Sequence, residues 1–234
     1  MKDLLFIDFD GTITRRDVTD AILEAFAAPQ WRAIEEDWQA GRIGSRDCLH
    51  GQMSLVRASR DELEALLCSI ELDPGLGALL EVCATDDLPV HIVSDGFDYC
   101  IERILARERA LAPLLRRVRV WASHLEPDGH RWRTTFPFSC HPLLKSHGCA
   151  TCKPMVMRLL NRTGARTIFI GDGLSDIHAT GLADQIFAKD KLADFCAAHA
   201  VSFIRYANLA EVAAHLAARN NRQNEQAFVE LEVS

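Results

Sequence analysis

The sequence predicts an α/β protein, in which a doubly wound parallel sheet is covered by helices and a helical module is inserted after the first strand. Two observations predict the sheet. Short apolar runs recur along the chain, and longer stretches with helical periodicity separate them. A third observation predicts the insertion: from about residue 17 to residue 73 the chain contains amphipathic helix patterns and no convincing strand.

The predicted strands follow one another from the amino terminus, at residues 4–7, 90–93, 118–121, 167–170, 185–188 and 201–204. These runs are apolar throughout and do not alternate with polar residues, which is typical of parallel strands buried on both faces. Helical patterns that can cover the sheet lie at residues 76–87, 97–112, 154–163, 191–199 and 208–218. A turn signal at 126–129, with Trp121 and Trp132 on either side, indicates a hairpin.

The inserted module holds helix patterns at residues 18–27, 30–40, 45–57 and 60–69. We therefore divide the chain into a core of residues 1–15 and 75–218, a helical cap of 16–74, and a polar tail of 219–234. An insertion at this point would lie above the carboxyl ends of the strands, where open α/β sheets bind ligands.

The composition is that of an ordinary soluble globular protein and excludes some classes of partner. The 234 residues carry 26 basic and 33 acidic side chains, a net charge of −7, and 48% are hydrophobic. Because no basic face dominates, we expect neither nucleic acid nor a membrane as a partner. The apolar start, residues 4–7, is too short for a signal peptide or a membrane span, which predicts a cytoplasmic protein with reduced thiols. The chain is expected to be a monomer or a homodimer.

The first chemistry-bearing motif is Asp8-Phe9-Asp10-Gly11-Thr12, directly after the first strand. Asp8 and Asp10 are two residues apart, so both carboxylates can face one site. Gly11 allows a sharp backbone turn, and Thr12 can hydrogen-bond a phosphate or the loop itself. The alternative is an acidic turn without function.

Two further motifs offer donors to a phosphate. Ser94-Asp95-Gly96 follows the second strand, where a hydroxyl and backbone N–H groups suit an oxyanion. Lys153 precedes Pro154, which favours the first turn of a helix, so its ammonium is expected at the mouth of the same site. Taken alone, Ser94 could be a helix cap and Lys153 a surface charge.

The fourth motif is Gly171-Asp172-Gly173-Leu174-Ser175-Asp176. Asp172 ends a strand, and Asp176 lies about one helical turn further on, although an acidic helix entry would show the same pattern. Four aspartates at one sheet edge repel one another unless a cation lies between them. Oxygen ligands favour Mg²⁺ over Zn²⁺.

With these four motifs in this order, the sequence resembles the haloacid dehalogenase superfamily, over nearly the whole chain. The resemblance implies a Rossmann-like core with an inserted cap, and a phosphatase in which Asp8 becomes an aspartyl-phosphate. It implies that Asp10 protonates the leaving oxygen and then activates water. Mg²⁺ would be held by Asp8, the backbone carbonyl of Asp10 and Asp172, with Asp176 in or near its shell. Ser94 and Lys153 would hold the phosphoryl group, together with Thr12, Asp95 and Gly96.

Further segments resemble the phosphoserine-phosphatase-like group of that superfamily, and within it the phosphatases of methionine salvage. They are residues 26–31, 73–75, 93–96, 136–137 and 148–154. The substrate implied is a small phosphorylated metabolite of methionine salvage or a related compound. Phosphoserine is the alternative substrate, and a non-catalytic phosphometabolite-binding protein is the alternative outside enzymes.

The cap sequence is compatible with either substrate. A methylthio group needs an apolar wall, which could be supplied by Phe26, Trp31, Trp38 and Met53, although these side chains could equally form the core of the cap. The charged groups of phosphoserine would instead need partners such as Asp20, Glu24 and Arg42.

A loop rich in cysteine and histidine precedes Lys153. A structural zinc site could be formed there by Cys140, His147, Cys149 and Cys152. Because only Cys149 and Cys152 have a typical zinc spacing, a reduced loop packed near the active site is the alternative.

Overall fold

The computed structural model describes residues 3–139 and 148–219, and within them it confirms the predicted α/β class. The strands are β1 (Leu4–Ile7), β2 (Val90–Phe97), β3 (Val118–Asp128), β4 (Arg131–Thr135), β5 (Thr167–Gly171), β6 (Gln185–Ala188) and β7 (Ile204–Arg205). They form one seven-stranded sheet in the order β4-β3-β2-β1-β5-β6-β7. Neighbouring strands are parallel, except that β4 is antiparallel to β3.

The sheet order reverses direction between β1 and β5. The chain first runs outward from β1 through β2 to β3, and then returns to the other side of β1 to build β5, β6 and β7. Ligands of open α/β sheets bind at such a reversal, beyond the carboxyl ends of the strands. The topology alone therefore places a candidate site where β1 and β5 end.

The helices divide between the inserted module and the sheet. Between β1 and β2 lie α1 (Val18–Phe26), α2 (Trp31–Gln39), α3 (Ser45–Ser54), α4 (Arg60–Cys68) and α5 (Leu76–Thr85). Along the rest of the sheet lie α6 (Asp98–Ala106), α7 (Ala112–Leu115), α8 (Lys153–Leu160), α9 (Ile177–Thr180), α10 (Asp190–Ala198) and α11 (residues 209–219). No helix of the described residues is both long and apolar enough to cross a membrane.

Successive residues of each central strand pack into different layers. Leu5 and Ile7 belong to one buried cluster, and Phe6 between them belongs to another. In β5, Ile168 and Phe169 divide in the same way. This arrangement explains the continuous apolar runs, because a strand covered by helices on both sides must be apolar on both faces.

Two of the cap helices, α1 and α4, begin with side-chain caps. Asp17 caps α1 by accepting a hydrogen bond from the backbone N–H of Asp20, and Ser59 and Glu62 form a capping box at α4. Arg107, just after α6, donates to the carbonyl oxygens of Leu67, Cys68 and Ile70 at the end of α4. This arginine therefore joins the cap to the core.

The structure differs from the sequence expectations at several boundaries. The hairpin turn lies at Gly129 and His130 and not at 126–129, because Gly129 has the positive φ (64°) that a tight reversal needs. The predicted helix 97–112 stops at Ala106, and a separate short helix, α7, begins at Ala112 with Pro113 in its first turn, where a proline is tolerated. β2 extends through Ser94 to Phe97, and its register against β3 shifts between Val93 and Phe97.

Candidate active site

Two carboxylates meet at the sheet reversal because they follow neighbouring strands in register. Ile7 of β1 pairs with Ile170 of β5, and the backbone N–H of Asp8 donates to the carbonyl of Ile170 at 2.9 Å. Asp172 follows β5 directly, and a 3₁₀ turn over Leu174–Asp176 returns Asp176 to the same place. One oxygen from each of these three aspartates lies within 4.8 Å of the other two.

The close approach of these groups depends on glycines. Gly11 has φ +74°, and a Cβ there would lie 2.5 Å from Oδ2 of Asp172. At Gly96, a Cβ would overlap the carboxylate of Asp10. Any side chain at either position would therefore push an aspartate out of the site.

Lys153 lies beneath the aspartate cluster, at the first residue of α8, with 1% of its surface exposed. Its Nζ is 2.9 Å from Oδ1 of Asp8 and donates to Oδ1 of Asp176 and, at 3.2 Å, to Oγ of Ser175. Burial disfavours the ammonium, but the carboxylates of Asp176 and Asp8 raise the pKa of Lys153 above its usual value. The side chain is therefore a fixed positive charge next to Asp8.

The cluster still has more negative than positive charge. Burial, followed by repulsion from Asp176, raises the pKa of Asp8 well above its usual range and the pKa of Asp172 to about 6. Oδ1 of Asp8 is buried against the ammonium of Lys153, and this one ammonium faces the carboxylates of three aspartates. A buried set of carboxylate oxygens with this excess of negative charge fits a hard divalent cation such as Mg²⁺.

Asp10 stands apart from this cluster. Its Oδ1 accepts the backbone N–H of Val18 at 3.0 Å, at the start of α1, and its Oδ2 accepts Oγ of Ser94 at 3.2 Å. Burial raises the pKa of Asp10 to about 6, against the lowering effect of these hydrogen bonds. Such a carboxyl group can hold or release a proton near neutral pH.

Thr12 does not reach the cavity above the cluster. It is fully buried, and its Oγ1 donates to Oδ1 of Asp172 at 2.6 Å. The hydroxyl thus bonds an aspartate that follows a different strand, and the expected contact of Thr12 with a phosphate stays a prediction. Its hydroxyl orients a carboxylate of the cluster.

The segment Ser94-Asp95-Gly96 lines the cavity, but its side chains have different partners. Oγ of Ser94 accepts the backbone N–H of Gly96 at 3.0 Å and faces Asp10. Oδ1 of Asp95 accepts the backbone N–H of Thr151 at 2.9 Å, so this carboxylate anchors the loop that leads to Lys153. The side chain of Asp95 is thus an acceptor already in use. The Ser94 hydroxyl and the Gly96 N–H, which bond to Asp10 and to Ser94 here, would have to exchange these partners to bind an anion.

A cavity of about 270 Å³ separates the cluster from the cap. Its cap side is lined by Asp17, Thr19, Asp20, Glu35, Trp38, Ser45, Cys48, Leu49 and Gln52.

The candidate substrate-selecting residues of the cap divide between this cavity and the protein interior. Trp38 lines the cavity, whereas Met53 and Trp31 are buried and Phe26 packs against the same core cluster. Of the charged candidates, Asp20 lines the cavity and Glu24 does not. Arg42 pairs with Asp37 at 2.6 Å on the exposed surface.

Sequence reasoning missed Glu35 and Gln52. Glu35 precedes Trp38 by three residues on α2, and Gln52 follows Cys48 by four on α3. These spacings put each pair on one helix face, and this is the signal that could have found them.

The cysteine-rich loop is only partly described. Cys140 and His147 lie outside the described residues, Cys149 is half-buried and Cys152 is buried. The zinc site stays a prediction. Within the described residues, the aspartate cluster is the one group of three or more side chains with the spacing of metal ligands.

Curated relatives align with this chain over most of its length. A 2-hydroxy-3-keto-5-methylthiopentenyl-1-phosphate phosphatase from Geobacillus thermodenitrificans is 31% identical over 195 residues, which cover 82% of this chain and 86% of the relative. A protein of the same name from Brevibacillus brevis is 30% identical over 196 residues, covering 82% and 85%.

Solved structures share the fold. A HAD family hydrolase from Salmonella enterica serovar Typhi superposes with a TM-score of 0.69 at 18% identity, covering 90% of this chain and 69% of that one. A substrate-bound phosphoserine phosphatase gives a TM-score of 0.67 at 16% identity, covering 92% and 98%. The family model of the haloacid dehalogenase-like hydrolases matches residues 5–180. The chain therefore belongs to the haloacid dehalogenase-like hydrolase family.

Proposed function

We propose that this hydrolase is a Mg²⁺-dependent phosphatase that releases phosphate from a small phosphomonoester through an aspartyl-phosphate on Asp8. The observation that carries the proposal is the convergence of the Asp8, Asp172 and Asp176 carboxylates, which have oxygens within 4.8 Å of one another, where Asp8 and Asp172 line a cavity. The names of the curated relatives support phosphomonoester chemistry.

The proposed reaction has two steps. An oxygen of Asp8 attacks phosphorus, the bond from phosphorus to the ester oxygen breaks, and that oxygen takes the proton of Asp10. The Asp10 carboxylate then accepts a proton from a water molecule that attacks the same phosphorus, which releases phosphate and restores Asp8. A pKa of about 6 for Asp10 suits a group that donates a proton in one step and accepts one in the next.

The remaining residues hold the reactants. Asp8, Asp172 and Asp176 would hold Mg²⁺, with the backbone carbonyl of Asp10. When bound, this ion offsets the carboxylate charge and polarises a phosphate oxygen. Ser94, the N–H of Gly96 and the ammonium of Lys153 would hold the phosphoryl oxygens, and Lys153 also stabilises the charge of Asp8.

The substrate we propose is 2-hydroxy-3-keto-5-methylthiopentenyl-1-phosphate or a related compound, acted on in the cytoplasm by a monomer or homodimer. Trp38 and Leu49 give the cavity apolar surface that a methylthio group could contact. Phosphoserine is the second candidate, since a phosphoserine phosphatase shares the fold over most of both chains. A non-catalytic binding protein is disfavoured, because all four motifs carry residues competent for the reaction.

The test is phosphate release from a panel that includes the methylthio-bearing ester and phosphoserine, with added Mg²⁺ and with a chelator. We expect release with Mg²⁺, its loss with the chelator, and a higher kcat/KM for the methylthio-bearing ester. If no ester of the panel is hydrolysed with Mg²⁺, the proposal is wrong. A higher kcat/KM for phosphoserine would keep the reaction and overturn the substrate.

A further inference from the structure

The wall of the cavity that faces the leaving group is built from two cap helices. α2 contributes Glu35 and Trp38, and α3 contributes Cys48, Leu49 and Gln52. This wall lies opposite the aspartate cluster, so a substrate whose phosphate lies at Asp8 would direct the rest of the molecule towards it.

Glu35 is held in this wall by contacts with three side chains. Nε2 of Gln52 donates to its Oε2 at 2.9 Å, and the thiol of Cys48 lies 3.8 Å from the same oxygen and 3.8 Å from the carbonyl oxygen of Ile34, either of which can accept its one proton. Nε2 of Gln39 donates to its Oε1 at 2.9 Å. Gln52 is 2% exposed, so the anchor itself is part of the packed interior. A carboxylate offers about four acceptor positions, so these bonds leave at least one for a ligand.

The thiol beside Glu35 is a donor and not a nucleophile. Burial, together with the charge of Glu35, raises the pKa of Cys48 to about 12. The thiol therefore stays protonated near neutral pH and supports the carboxylate.

The charge of the wall has one sign. Among the described residues that line the cavity from the cap, Asp17, Asp20 and Glu35 are acidic and none is basic. Lys191, which also lines the cavity, belongs to α10 of the core. An anionic group at the far end of a substrate would thus meet like charge, whereas a hydroxyl group could donate to Glu35.

From this arrangement we propose that Glu35 is a specificity-determining residue, which accepts a hydroxyl of the leaving group and rejects leaving groups that carry a second anionic group. The inference rests on the proposed function and narrows its substrate class to phosphomonoesters with an uncharged, hydroxylated leaving group. The apolar surfaces of Trp38 and Leu49 accommodate the carbon chain of that group.

The test compares two esters that differ at one position, sn-glycerol 3-phosphate and 3-phosphoglycerate, which carry a CH₂OH group and a carboxylate at the same carbon. For the wild-type protein with Mg²⁺, we expect kcat/KM to be higher for glycerol phosphate. Glu35→Gln removes the charge at constant shape and should reduce the ratio of the two kcat/KM values about tenfold, as expected for one charge pair in a partly screened site. Glu35→Asp, which keeps the charge, should restore most of the ratio.

Glu36→Gln is the matched control, because Glu36 is the next residue of α2 and is exposed outside the cavity. It should leave the ratio unchanged, and circular dichroism checks that every variant is folded. If Glu35→Gln is folded and keeps the wild-type ratio, or if the wild-type protein prefers 3-phosphoglycerate, the inference is overturned. Release of phosphate from p-nitrophenyl phosphate by the wild-type protein separates that outcome from failure of the proposed function, in which no ester is hydrolysed.

Discussion

Asp8, Asp172 and Asp176 share a space in which one ammonium, that of Lys153, opposes three carboxylates. Each aspartate has a specific tether: the ammonium for Asp8, the hydroxyl of Thr12 for Asp172, and the backbone N–H groups of Asp172 and Gly173 for Asp176. These contacts hold the carboxylates together against their repulsion. They do not neutralise them, and the raised pKa values of Asp8 and Asp172 are the consequence.

The first prediction links pH, Mg²⁺ and stability. A raised carboxyl pKa means that the folded protein binds protons more tightly than the unfolded chain, so these groups lower stability as pH rises from their ordinary 3.8 through about 6. A bound cation takes over the role of the protons. We therefore expect Mg²⁺ to raise Tm more at about pH 7.5, where the carboxylates are ionised, than at about pH 5.

Thermal unfolding with and without Mg²⁺ at the two pH values measures this difference. Asp172→Asn removes one carboxylate of the cluster and should abolish most of the rise at the higher pH. An equal rise at both pH values would show that Mg²⁺ does not bind these carboxylates.

At the scale of elements, α3 and the loop at 148–152 form a joint between cap and core. The carbonyl of Gly148 accepts the backbone N–H of Arg46, and Oγ of Ser45 accepts the backbone N–H of Ala150, both at 2.9 Å. The carboxylate of Asp95, in β2, accepts the backbone N–H of the next residue of the loop, Thr151. The loop that leads into α8 and Lys153 is therefore fixed by the cap and by β2 together.

The second prediction tests this joint with Gly44→Ala. A Cβ at Gly44 would lie 2.6 Å from Cα of Gly148, so backbone on one side must move. We expect a loss of about 1–3 kcal/mol in the free energy of unfolding and a lower kcat/KM for every ester, because Lys153 follows the displaced loop. Urea unfolding and phosphate release measure the two effects. Gly181→Ala is the control, since a Cβ there meets nothing within 4 Å. If the two variants have the same free energy of unfolding and the same kcat/KM, the contact between α3 and the loop at 148–152 does not fix the loop.

At the scale of the whole molecule, the sequence alone predicts the parallel sheet and the meeting of the aspartates at its edge. Apolar runs that end in Asp8 and Asp172 must bring these residues together once the strands are parallel neighbours, since parallel strands end at one edge. The roles of these residues stay predictions until they are measured.

Other features depend on packing that local patterns do not encode. The sequence allows Thr12 to bond a phosphate or its own loop, whereas in the fold its hydroxyl donates to Asp172, which is 160 residues further along the chain. Trp31 and Trp38 lie on one helix, yet the docking of α2 buries Trp31 and turns Trp38 to the cavity. The sequence does not single out Glu35 for the same reason: tertiary contacts decide which face of a cap helix meets the active site.

The whole account depends on a covalent phosphate on Asp8, and trapping that intermediate tests it most directly. The Asp10→Asn variant lacks the proposed base of the second step. p-Nitrophenolate leaves without a proton, so the first step with p-nitrophenyl phosphate does not require Asp10 as an acid. With this ester and Mg²⁺, acid quenching followed by peptide mass spectrometry should find a phosphoryl group on Asp8, at higher occupancy in Asp10→Asn than in the wild-type protein. A phosphoryl-free Asp8 in Asp10→Asn, together with phosphate release by Asp8→Asn at the wild-type rate, would contradict the account.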